Sequence, residues 1–156
     1  MIALYKGTSM LSRAIRWQTD SDYSHASWLL PDGREIEAWK GRGVHVNCSL
    51  GDGHTPGTVI DIFTLPELSD MQRMQVQAFL DDQLGKPYDW KGVARFLSRG
   101  RRHSDRRWFC SELVAAGCIA AAFPLLDLPA WKTTPGLIAT STRLEKWKTI
   151  ELENPK

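Results

Sequence analysis

Two short apolar runs, Ser24-His-Ala-Ser-Trp-Leu-Leu30 and Arg34-Glu-Ile-Glu-Ala-Trp39, flank Pro31-Asp-Gly33, and no other feature constrains this chain as tightly. Proline presets the backbone for a type I turn, and glycine accepts the left-handed position that follows, so the pattern reads as strand, turn, strand. Pairing Leu30 with Arg34 sets Ser27 opposite Glu37 and His25 opposite Trp39. Because strand side chains alternate with period two, His25 and Glu37 then share one face as diagonal neighbours within about 7 Å. Glu35 shares that face one step further away, and a slip of one residue would separate all three.

Further elements follow from periodicity. Residues 8–17 read as a short amphipathic helix capped by Thr8 or Ser9, with Met10, Leu11, Ala14 and Ile15 on one face. Residues 41–46 and 58–64 supply two more strands, separated by the glycine-rich stretch 47–57. The spacing predicts a helix over 69–84 with Ser69 as N-cap, apolar positions Met71, Met74, Ala78 and Leu84, and Gly85-Lys-Pro87 as its stop. Residues 89–97 suggest another short helix, and 137–139 a last strand. The clearest helix covers 110–122. Cys110, Leu113, Val114, Gly117, Cys118 and Ala121 form one stripe at helical spacing, with residues small enough for close packing on a sheet. No repeat or linker is visible, so a single domain over 1–156 is expected.

Composition excludes more than it selects. A chain of 156 residues with 42% hydrophobic and 24% charged residues has the makeup of an ordinary globular domain with a sizeable core. It contains no run of about 18 uncharged apolar residues, so no integral membrane association is expected. The N-terminus turns polar at Lys6 and carries no export signal, making a cytoplasmic monomer the default expectation. Three cysteines, none in a CxxC pair, argue for free thiols over a disulfide framework. Five arginines between Arg99 and Arg107 form a basic cluster, either a solvated loop or an anion contact. No interleaved aromatic motif accompanies it, and no nucleic-acid partner is expected.

Cys110 opens the clearest helix, where unpaired backbone N–H groups and the positive end of the dipole favour an anion. That position is expected to lower the thiol pKa and to let the Cys110 backbone N–H face an oxyanion. The alternative is an inert buried cysteine. His25 is the best-placed candidate base among four histidines, and Glu37 on its face would fix the imidazole tautomer as the third member of a triad. A structural histidine and a solvated glutamate are the corresponding plain readings. His45, Cys48 and His54 have metal-ligating chemistry but lack a fourth ligand and match no zinc-finger spacing, so no metal or cofactor is expected.

Four segments together, Tyr23-Ser-His25, Ile36-Glu-Ala38, Leu84-Gly-Lys-Pro-Tyr-Asp-Trp90 and Phe109-Cys-Ser-Glu-Leu-Val114, resemble the circularly permuted branch of the NlpC/P60 superfamily. These are papain-like cysteine hydrolases related to lecithin:retinol acyltransferase, in which histidine precedes cysteine. The resemblance runs from about Ala3 to Val114. It implies an α+β fold, an antiparallel sheet or small barrel packed against helices. It also implies Cys110 as nucleophile, His25 as general base, Glu37 as the polar third residue and Tyr88 beside the oxyanion site.

The implied activity is amide hydrolysis through a thioester acyl-enzyme. In relatives such amides lie in peptidoglycan stem peptides, which without an export signal would be reached by lysis or in a phage-type particle. An acyl-amide or lipid substrate, as in the acyltransferase relatives, is the alternative. A non-catalytic binding module that keeps the cleft is the rival from another class.

Overall fold

In the computed structural model, which describes residues 1–89 and 106–153, the hairpin forms in the anticipated register. Strand β2 (His25–Leu29) pairs antiparallel with β3 (Glu35–Trp39) through Trp28–Ile36 and Leu29–Glu35. Gly33 takes a φ of 87°, and the Leu30 N–H donates to the Arg34 carbonyl at 2.8 Å. The remaining elements are β1 (Ile2–Lys6), α1 (Met10–Thr19), β4 (Gly43–Asn47), β5 (Val59–Thr64), α2 (Asp70–Asp81), α3 (Cys110–Ala120), a 3-10 turn over Ala130–Lys132, α4 (Pro135–Ala139) and β6 (Glu145–Glu151).

All six strands join one antiparallel sheet in the order β4-β3-β2-β1-β5-β6. The sheet is open, so the small-barrel alternative is not what forms. Residues 85 and 86 occupy the outer edge of β4, with Gly85 N–H donating to the Val44 carbonyl and Val44 N–H to the Lys86 carbonyl, at 2.9 and 2.8 Å. This close approach requires glycine at position 43, where φ is 73° and a Cβ would sit 2.4 Å from the Lys86 carbonyl oxygen.

Alternation sorts the sheet into two faces. Ile2, Leu4, Ala26, Trp28, Ile36, Ala38 and Val44 enter the main core with Val76 and Leu80 of α2 and Cys110, Leu113, Val114 and Cys118 of α3. The opposite face carries Ala3, Tyr5, Leu29, Ile60 and Ile62 in a smaller cluster. Tyr5 pairs with His25, which therefore starts on the face away from α3.

Several expectations change. Strand β1, not anticipated, is central and buried on both faces, so its apolar run shows no alternation. Residues 137–139 are helical, not extended, because Thr134 caps α4 by accepting from the Leu137 N–H and Pro135 fits its first turn. Helix α2 begins at the Ser69 cap as expected but ends at Asp81. Its buried face is Val76 and Leu80, whereas Met71 and Met74 are over 70% exposed and Leu84 lies beyond the helix. Gly117 of α3 decides between the faces: without a side chain it admits Val76 and Leu80 to contact distance. Likewise Ile15 alone in α1 is buried, leaving Met10, Leu11 and Ala14 outside. The stripe along α3 is buried as expected. The helix expected over 89–97 and most of the arginine cluster lie outside the described residues, and no helix among those described is long and apolar enough to cross a membrane.

The reassigned face of α2 can be checked by urea denaturation. Leu80→Ala should lower the unfolding free energy by about 2–5 kcal/mol, the usual cost of a buried leucine truncation. Met74→Ala should change it by no more than about 0.5 kcal/mol.

Candidate active site

The His25 ring contacts the Glu37 carboxylate through Nε2, in a short hydrogen bond buried beneath the surface. The diagonal neighbours expected from the hairpin thus meet. Strand β4 adds two residues to the same face, since Glu37 pairs with His45 and Glu35 with Asn47. Asn47 Nδ2 donates to Glu37 Oε1 at 2.6 Å, securing the oxygen that His25 does not use. Glu35 is taken up by structure: Tyr5 and Ser27 hydroxyls donate to Oε2, and the Gly51 N–H donates to Oε1 at 3.1 Å.

Aromatic rings hold the imidazole. Tyr5 and Trp39 meet His25 edge-on at centroid distances of 5.2 and 5.0 Å. His54, from the loop after β4, stacks on Tyr5 at 4.2 Å and meets Trp39 at 4.5 Å. A cleft of about 260 Å³ opens beside them, with Leu11, His25, Trp39, His54 and Tyr88 in its wall. Sequence reasoning left Tyr5 and Asn47 unassigned here, and weighed His54 only as a metal ligand with His45 and Cys48. Extending the register argument from β3 to β4 would have found Asn47, whereas a loop histidine carries no such signal.

Cys110 stands at the first position of α3, as expected. Phe109 at the N-cap has no side-chain acceptor, so it offers nothing to satisfy the first-turn N–H groups. Ser111 Oγ donates to the Thr133 carbonyl at 2.6 Å and fixes the helix start. The β2–β3 ladder stops at Trp28–Ile36, and the Ala26 N–H is turned toward the Cys110 thiol, joined there by those of Ser111 and Cys110 itself. These three groups favour a thiolate. Burial outweighs them and pushes the thiol up to about 12. The lowered pKa expected from helix position alone is thus reversed, because the sulfur is fully enclosed.

The same desolvation acts on its neighbours. Burial holds the His25 imidazole down at about 4 and raises the Glu37 carboxyl to about 7. Tyr88 is drawn beside Cys110 by a short parallel bridge to Trp108, in which Trp108 N–H donates to the Pro87 carbonyl at 3.1 Å and Asp89 N–H to the Trp108 carbonyl at 2.9 Å. Burial, reinforced by the Cys110 thiol, raises the Tyr88 hydroxyl well above its usual range, so it stays a neutral donor. The structure therefore unites His25 with Glu37 and places Tyr88 on the cleft wall. Cys110 lies outside that wall, and no hydrogen bond joins it to His25 among the described residues.

No protein-family model matches this chain, and no curated protein does. Solved structures do. The crystal structure of the metalloprotein YiiX from Escherichia coli O157:H7 aligns over 99% of this chain and 96% of its own, with a TM-score of 0.54 and 20% identity. At that identity the likeness is one of fold, and the α+β architecture described here, an open antiparallel sheet packed against helices, is YiiX-like.

Proposed function

We propose that the protein is a cysteine acyl hydrolase in which Cys110 attacks, His25 moves the proton and Glu37 sets the imidazole tautomer. The observation that carries this reading is the break in the β2–β3 ladder, where the N–H of Ala26, the residue next to His25, faces the thiol at the start of α3. The motif resemblance to permuted NlpC/P60 enzymes supports the same three roles.

Chemistry follows from the protonation states. A thiol raised by burial and an imidazole lowered by it rest as a neutral pair, so the proton must move during attack. With Glu37 ionised, Nε2–H donates to the carboxylate and Nδ1 is left as the base. Attack requires the Cys110 proton to reach Nδ1 as sulfur bonds to the acyl carbon, a contact that the described residues do not make at rest. In this reading the Cys110 N–H and the Tyr88 hydroxyl receive the carbonyl oxygen as it gains charge. The imidazolium then protonates the leaving amine or alcohol, and water, deprotonated by the same ring, cleaves the thioester.

Amides of muropeptide type are one acyl class this machinery suits. A lipid acyl group is favoured by one feature: Leu11 of α1 enters the cleft wall while Met10 and Trp17 on the same helix are 88% and 84% exposed.

Intact-mass trapping with muropeptides, peptides and phospholipid esters distinguishes these classes. One class should leave an acyl adduct that Cys110→Ala abolishes, and absence of any adduct, with Cys110→Ala biologically active, would favour the binding module. The pH profile is equally specific. Below about 7 Glu37 holds a proton and donates it to Nε2, which forces the hydrogen of neutral His25 onto Nδ1 and removes the base. The value of kcat/KM should therefore rise through an apparent pKa near 7, and Glu37→Gln should lower kcat about 100-fold and remove that limb. Iodoacetamide at pH 8 should modify exposed Cys48 first and Cys110 more slowly in the native protein, while buried Cys118 reacts only in urea.

A further inference from the structure

We propose that His25, Glu37 and His54 form a binding site for a transition-metal dication, zinc above all. One ligand atom from each lies within 4.8 Å of the others. His54 Nε2 is buried with no hydrogen-bond partner, a costly state for an imidazole that a ligated metal would relieve. Two imidazoles and a carboxylate are a donor set that zinc takes in hydrolytic centres with a fourth position open.

The surroundings suit that role. Stacking on Tyr5 and edge contact with Trp39 orient the His54 ring. Asn47 holds Glu37 Oε1, the kind of outer contact that steadies a carboxylate ligand. His45 is nearby, with Nε2 3.4 Å from Glu37 Oε1, but its ring nitrogens face the Gly43 carbonyl at 3.1 Å and Asn47 Oδ1 at 2.9 Å, which keeps it out of the ligand set. Both ligating histidines line the cleft, so the open position faces solvent or substrate. Binding replaces the His25–Glu37 hydrogen bond with bonds to the metal. His25 then cannot accept the Cys110 proton, and zinc becomes a reversible inhibitor. The inhibition rests on the hydrolase reading, whereas the site does not.

Calorimetric titration of the full chain with Zn²⁺, and Co²⁺ absorption, separate the two. One equivalent should bind, with cobalt bands free of thiolate charge transfer. His54→Gln and Glu37→Gln should weaken binding at least about tenfold while thermal unfolding shows them folded. Cys110→Ala and His45→Gln should bind as the parent does. No saturable binding, unchanged binding in His54→Gln, or a thiolate band would overturn the site. Tight, His54-dependent binding that leaves acyl hydrolysis unaffected would confirm the site and sink the hydrolase assignment of His25.

Discussion

Two carboxylates buried side by side set the terms for this fold. Glu35 and Glu37, two residues apart on β3, are both essentially inaccessible to solvent. An unpaired buried charge costs several kcal/mol, so each must find donors in the interior. Tyr5 comes from β1, His25 and Ser27 from β2, Asn47 from β4, and the Gly51 N–H from the loop beyond. Satisfying one strand thus ties together its neighbours on both sides, and a shift in any of them leaves a carboxylate short of partners. His25 and Glu37, the residues proposed to act, sit inside this network, so their stability and their proposed chemistry draw on the same bonds.

Much of this was legible in the sequence where a local rule and a burial pattern agree. The hairpin register, the Ser69 cap and the stripe along α3 each rest on residues that act through their immediate neighbours. What escaped depends on distant partners. The run Ile2–Tyr5 has no alternation because the strand is central. Residues 145–151, nearly all exposed, look like a loop until β5 supplies hydrogen bonds for them. Met71 and Met74 stay outside while Val76 and Leu80 close on Gly117, 41 and 37 positions further along the chain. At the site, His25 and Glu37 follow from the hairpin, whereas His54 arrives on a loop whose course no periodicity reports.

Cys110 illustrates how two correct rules compete. A helix start favours an anion, and three N–H groups do surround the sulfur, yet enclosure in the core makes charge separation dearer than those groups can offset. The balance depends on depth, a quantity that position along a helix does not encode. The same depth holds His25 neutral, so thiol and imidazole are matched in form without being an ion pair.

The short bridge between Tyr88 and Trp108 has a consequence for how such chains can vary. Backbone hydrogen bonds clamp both ends of the intervening segment, with Tyr88 next to one clamp and Cys110 two residues past the other. Closing a loop between fixed ends grows costlier only logarithmically, about 0.6 kcal/mol for each doubling of its length. Insertions or deletions between the clamps therefore leave Cys110 and Tyr88 in register. That span, arginine-rich in this chain, is where evolution or a protein engineer could exchange sequence while Tyr88 and Cys110 keep their places.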